Sequence, residues 1–284
     1  MRPPILLLMF LLSTLNSFAN PPQAAPKSAD DYRGRAEARS GQGDFDGAIA
    51  DYTKAIKLDP RDAMAYYNRA LARQGKGDIA GEIADYNTAI TLNPRFAQAY
   101  CGRAIARRRE GERELALADF NKAIDLDPQY ALAYSNRGLA RIEQGNREDA
   151  ITDYDKAIEL DPKLAGAYIN RGNARYGKGD LDGATADFDI AIELSPRSAL
   201  AYGNRANVRF ERGDLEGTIQ DSTKAIEINP QYAKAFALRG MAKLKQGRNV
   251  DAQLDLQTAL RLDPKLRSTI DAMTMKANLP GVSK

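Results

Sequence analysis

The sequence predicts an all-α protein, a solenoid of seven helix-turn-helix units closed by a C-terminal capping helix. Three observations predict it. Prolines recur at Pro60, Pro94, Pro128, Pro162, Pro196, Pro230 and Pro264, always 34 residues apart. Glycines keep the same interval at Gly43, Gly77, Gly111, Gly145, Gly179, Gly213 and Gly247. Between these marks, apolar and small residues return at helical spacing. Each proline follows Asp, Asn or Ser and ends a helix, because it has no amide hydrogen to donate and its ring clashes with a preceding helical turn. Each glycine stops a first helix where a left-handed backbone is needed. Asp44, Asp78, Glu112, Asn146, Asp180 and Asp214 come next, mostly good N-caps for a second helix.

In chain order, the first segment stands apart from this array. Met1-Arg2 gives a positive start, Ile5 to Leu12 is an unbroken apolar run, and Ser17-Phe18-Ala19 supplies small residues at a cleavage-site spacing. This reads as a cleaved secretory signal over residues 1–19, too short to span a bilayer, which needs roughly 20 apolar residues. No cysteine lies near the cleavage site, which disfavours a lipid anchor. Residues 20–28, with Pro21, Pro22 and Pro26, read as an extended linker. The expected location is therefore the periplasm or the extracellular space. The single cysteine, Cys101, permits no intramolecular disulfide, so packing must hold the fold.

The units then run 29–62, 63–96, 97–130, 131–164, 165–198, 199–232 and 233–266. On the first helix an aromatic recurs at Tyr32, Tyr66, Tyr100, Tyr134, Tyr168, Tyr202 and Phe236. A small residue follows four positions later at Ala36, Ala70, Ala104, Gly138, Gly172, Ala206 and Gly240, and the pair reads as a knob meeting a hole. On the second helix Ala55, Ala89, Ala123, Ala157, Ala191, Ala225 and Ala259 mark a close-packed face, with an aromatic three residues earlier except at Ser222 and Leu256. The last two units are expected to pack less tightly there. This pattern resembles the tetratricopeptide repeat over residues 29–266. The resemblance implies first helices lining a concave groove, second helices forming the back, and a need for capped ends. Residues 267–284 supply a capping helix and tail, with Leu266, Ile270, Met273 and Ala277 as its apolar stripe. Glu82 and Thr218 stand where the family usually has alanine, so packing in units two and six is expected to be disturbed.

Charges repeat as well. Arginine recurs at Arg35, Arg69, Arg103, Arg137, Arg171, Arg205 and Arg239, a second basic residue follows one turn later, and each second helix carries one of Asp51, Asp85, Asp119, Asp153, Asp187, Asp221 and Asp255. One arginine to one aspartate at fixed phase predicts interhelix ion pairs with planar, bidentate geometry. The alternative is a ladder that binds a polyanion or nucleic acid, and pairing weighs against it because paired guanidinium groups release few counterions. Gly41-Gln42-Gly43, Gly75-Lys76-Gly77 and Gly177-Lys178-Gly179 read as turns, since they follow no strand and lack the Ser/Thr ending of a phosphate loop. Asp153/Asp155 and Asp187/Asp189 point to different helix sides and are not an acid-base pair.

Function is then expected at groove positions that vary between units. Helical spacing selects Tyr67, Leu71, Cys101, Ile105, Leu139, Ile169, Asn173, Asn204, Asn207 and Lys234 as the partner-binding set, within a largely apolar groove suited to an extended or helical peptide. Ile142, Tyr176, Phe210 and Leu244 read equally well as packing between units. In family members that bind chaperone tails, five polar groups hold a terminal carboxylate. Here Asn173, Asn204 and Lys234 match three, while Ile169 and Leu238 occupy the other two, so the complete clamp is absent. Cys101 has Arg103 and Arg107 nearby but reads more readily as a small core residue.

Composition limits the chemistry. The 284 residues include no histidine and no tryptophan, which removes Ser/His/Asp and Cys/His nucleophile pairs and zinc sites built on histidine. A formal charge of +3, from 41 basic and 38 acidic residues, gives no mandate for nucleic acid. The expectation is a non-enzymatic scaffold with no cofactor and no metal, binding a protein or peptide, with nucleic acid unlikely and no stable membrane span after signal cleavage.

Overall fold

The computed structural model describes residues 27–276; the expected signal, most of the linker and the tail from residue 277 lie outside them. Within that range the chain is helical throughout and contains no strand. The first helices of the seven units are α1 (Ala29–Gly41), α3 (Ala63–Lys76), α5 (Ala97–Glu110), α7 (Ala131–Glu143), α9 (Ala165–Tyr176), α11 (Ala199–Glu211) and α13 (Ala233–Lys245). The second helices are α2 (Phe45–Leu58), α4 (Ile79–Leu92), α6 (Arg113–Leu126), α8 (Arg147–Leu160), α10 (Leu181–Leu194), α12 (Leu215–Ile228) and α14 (Asn249–Leu262). A 3₁₀ turn over Pro264–Leu266 leads into α15 (Arg267–Lys276).

The turn glycines behave as their spacing requires: Gly145, for example, sits at φ 84°, a backbone that side-chain-bearing residues avoid. Not every residue after the glycine caps the next helix. Asp44, Asp78, Asp180 and Asp214 accept from the amides of Gly47, Gly81, Gly183 and Gly217 at 2.8–3.0 Å, but Glu112 and Asn146 make no such bond. The difference lies three residues on. A Cβ on Gly47 would fall 2.1 Å from Asp44 Oδ2, so glycine leaves space for the carboxylate, whereas Leu115 and Asp149 fill it in units three and four.

The knob and hole are arranged differently from the sequence expectation. Tyr86, Phe120, Tyr154 and Phe188 on the second helices are almost wholly buried, and they fill the holes left by the small residues of the first helices. Gly138 and Gly172 are the clearest cases: a Cβ there would come within 2.8 Å of the Tyr154 ring and 2.7 Å of the Phe188 ring. The first-helix aromatics instead lie beneath guanidinium groups. Nor does the seventh unit pack loosely as expected. Leu256 is fully buried and its side chain fills the space against Gly240; Ser222 is fully buried too, and its hydroxyl has no partner. The disturbance expected at Glu82 and Thr218 is met by polar contacts, only in part at Glu82, whose Oε1 is buried without a partner. Glu82 Oε2 accepts from Arg109 Nη1 at 2.9 Å, and Thr218 Oγ1 donates to the Asp214 carbonyl at 2.7 Å.

Neighbouring first helices touch one another along most of the array, while second helices mainly contact the first helices on either side. First helices therefore lie on the inside of the curve. Both ends are finished with polar groups. Units two to seven bury an alanine at the third position of the unit, such as Ala65 and Ala133; in unit one that position is Asp31, which joins Ser28 in a reciprocal cap of α1. At the other end α15 is in register as the first helix of an eighth unit. Ile270 takes the aromatic phase and is buried against the seventh unit's core, with Leu266 beside it. The side chain of Met273 and the whole of Ala277, both of the expected stripe, fall outside what the structure describes.

Candidate partner-binding groove

The repeated charges form one continuous device. In every unit the first arginine holds its own aspartate with two donors, Nη2 to Oδ1 at 2.6–2.7 Å and Nε to Oδ2 at 2.7–3.0 Å. The second basic residue reaches the same carboxylate at 2.7–3.2 Å. Each guanidinium also stacks on its unit's first-helix aromatic, 5.4–5.7 Å from the ring centre. From unit two onward, the remaining Nη1 donates backward to the preceding unit, to Thr53, Asn87, Asn121, Asp155, Asp189 and Thr223 at 2.6–3.2 Å. That backward contact was not legible as a pattern, because its acceptors are three different residue types at one phase. Burial among these contacts holds the aspartates at a few per cent exposure, and Asp51 is kept below the usual carboxylate range by its bond to Arg35.

The inner face is not uniformly available. Leu71 is 40% exposed, and Asn173 and Lys234 are exposed; Met64, Leu132 and Leu200 add exposed aliphatic surface at the start of their helices. Tyr67, Ile105, Leu139, Asn204 and Asn207 are half-buried. Cys101 and Ile169 are corrected from groove to core, being 2% and 8% exposed. Cys101 is covered by Tyr130, the residue just before α7, while Ile169 joins a core cluster with Ala201 and Val208 of unit six. Residues at the same place before other first helices act likewise: Phe96 lies against Tyr67 with ring centres 4.9 Å apart, and the Tyr232 ring covers Gly203. Burial pushes the Cys101 thiol up to about 12, so the nearby arginines do not activate it. Ile142, Tyr176, Phe210 and Leu244 are packed between units, fully or in part. Arg108 and Arg109 are spent on Glu143 and Glu82.

Three of the ten sequence-selected residues converge. Asn204, Asn207 and Lys234 line a hollow of about 360 Å³ between units six and seven and α15, together with Gly203, Tyr232, Ala237, Leu238, Leu266, Thr269 and Ile270. Its floor is apolar and its polar groups face in one direction of chemistry. Asn204 Nδ2 is buried and donates to nothing, and Lys234 makes no ion pair among the described residues. Both are donors awaiting an acceptor. Asn207 faces Tyr176 of unit five. Among the described residues no cluster of side chains suits a metal ion, and no helix is long and apolar enough to cross a membrane.

A curved stack of helix pairs with a variable inner face is an α-solenoid repeat protein. The chain belongs to the tetratricopeptide repeat family. Family models match residues 41–77, 106–145 and 138–179 (TPR repeat), 169–233 and 63–96 (both tetratricopeptide repeat). A tetratricopeptide repeat protein from Parabacteroides merdae ATCC 43184 is similar in fold, with a TM-score of 0.66 at 23% identity over 88% of this chain and all of that one. MamA is 30% identical over 60% of this chain and 93% of its own, with a TM-score of 0.51. YrrB, a TPR protein with an unusual peptide-binding site, is 24% identical over 65% of this chain and 95% of its own, with a TM-score of 0.50. No curated protein sequence matches this chain.

Proposed function

We propose that the protein is a non-enzymatic scaffold, exported to the periplasm or cell envelope, that holds an extended segment of a partner protein along its first-helix face. The observation that carries this reading is the hollow between units six and seven, where an unpartnered buried amide and an unpaired ammonium stand over apolar side chains. That chemistry suits an acidic or carbonyl-bearing group attached to an apolar residue. The exposed Leu71, Leu132 and Leu200 farther along the same face suit apolar side chains of the same segment. The peptide-binding character of YrrB, and the export features of residues 1–19, support the reading from outside the site. The arginine ladder speaks against a polyanion, because its donors are already bonded within the protein.

A peptide-display selection against the folded repeats tests this. Selected ligands are expected to bind at least about tenfold more weakly to Lys234→Ala and Asn204→Ala, the loss of a charge-assisted contact and of a hydrogen bond. They should also weaken with Leu71→Asp and be unaffected by Leu254→Asp on the outer surface, where Leu254 is 67% exposed. Ligands that respond only to the outer substitution would refute the groove.

A further inference from the structure

We propose that the Glu82–Arg109 contact is a proton-operated joint between units two and three, and so regulates the curvature of the groove beside Leu71. This rests on the proposed function only in its consequence for binding; the joint itself is a property of the free protein. At this phase Ala48, Ala116, Ala150, Ala184 and Ala252 are fully buried, and Glu82 is equally buried in their company. Its Oε2 accepts from Arg109 Nη1 across the unit boundary at 2.9 Å, while Oε1 is buried without a partner. The Tyr86 hydroxyl, one turn on, is buried without a partner as well.

The surrounding charges leave Arg109 as the one group that favours the ionised form. From α3, Arg73 faces this region but is bonded to the Gly81 carbonyl, Asp78 and Asp85. At the N-cap of α4, Asp78 opposes ionisation. From α5, Arg107 is taken by Asp119 and Glu112, and Arg108 by Glu143 of unit four. Burial, only partly offset by Arg109, pushes the Glu82 carboxyl from 4.5 up to about 7. An acid whose folded value is raised binds its proton more tightly folded than unfolded. Its stabilising contribution is therefore complete below about 4.5 and is lost as pH rises towards 7. Asp51, lowered from 3.8, acts below this window and with the opposite slope.

Above neutrality the pair ties α4 to the end of α5, and Arg108–Glu143 continues the tie into α7. Protonation frees Arg109, whose side chain is 32% exposed and reaches water. The test uses ligand-free protein. A ¹³C signal of the Glu82 carboxyl, assigned by its loss in Glu82→Gln, is expected to titrate with a midpoint near 7. Spin labels on Ala84→Cys and Ala118→Cys, both exposed, in a Cys101→Ala background should report a distance change with the same midpoint. The distance should be flat with pH in Glu82→Ala, which restores the repeat's own residue and so keeps the fold. A carboxyl midpoint near the ordinary 4.5, or a distance that does not respond as Glu82 titrates, would overturn the joint.

Discussion

Asp153→Ala lowers the melting temperature of the protein and costs about 3 kcal/mol, the order expected when one partner of a buried ion pair is removed. Asp153 is 2% exposed and receives Arg137 through Nε and Nη2 and Arg141 through Nη1. The substitution leaves two guanidinium groups without their carboxylate in the middle of the array. Asp155→Ala, two residues on, is the matched control. Its half-exposed carboxylate serves only the Nη1 of Arg171, and its loss costs at most about 1 kcal/mol. Thermal or urea unfolding of the two variants beside the parent separates them. Equal midpoints for Asp153→Ala and the parent would mean that the ladder is ornamental.

Phe188→Ala is expected to cost about 4 kcal/mol, because a fully buried ring leaves a cavity that its surroundings only partly fill. The ring stands against Gly172, which has no side chain to move into the space. Since each unit contacts only its neighbours, the damage stays local. Hydrogen exchange should lose protection first in α9 and α10 and least in units one and seven. Uniform loss of protection along the chain would show instead that the array unfolds as one block.

The helix-pair repeat was legible because its prolines and glycines are written seven times, and a helix-terminating proline or glycine has few other uses; which aromatic fills the small-residue hole was not, because both helices carry one. The arginine-aspartate pairing was legible through the same repetition. What also escaped the sequence was contact between units whose residue types vary. Thr53, Asn121 and Asp189 share an acceptor role that composition hides. Tyr130, just outside a first helix, packs over Cys101, and the next unit closes over Ile169, so helical spacing alone placed both on an open face. Asn204, Asn207 and Lys234 converge because they vary on the same face of adjacent first helices. The apolar floor under them comes from Leu266 and Ile270, which the sequence assigns to the cap.

The backward bond of each arginine makes the units exchangeable. Its acceptor always sits sixteen residues earlier, and amide, hydroxyl and carboxylate oxygens all serve. Were residues 131–164 removed in register, Arg171 would meet Asn121 in place of Asp155, an acceptor already used by Arg137. At this bond the junctions thus carry no address. Such a chain lengthens or shortens by whole units without new joints having to be invented, and only its polar first helix, the Glu82–Arg109 pair of units two and three and its closing half-unit are tied to a place in the order.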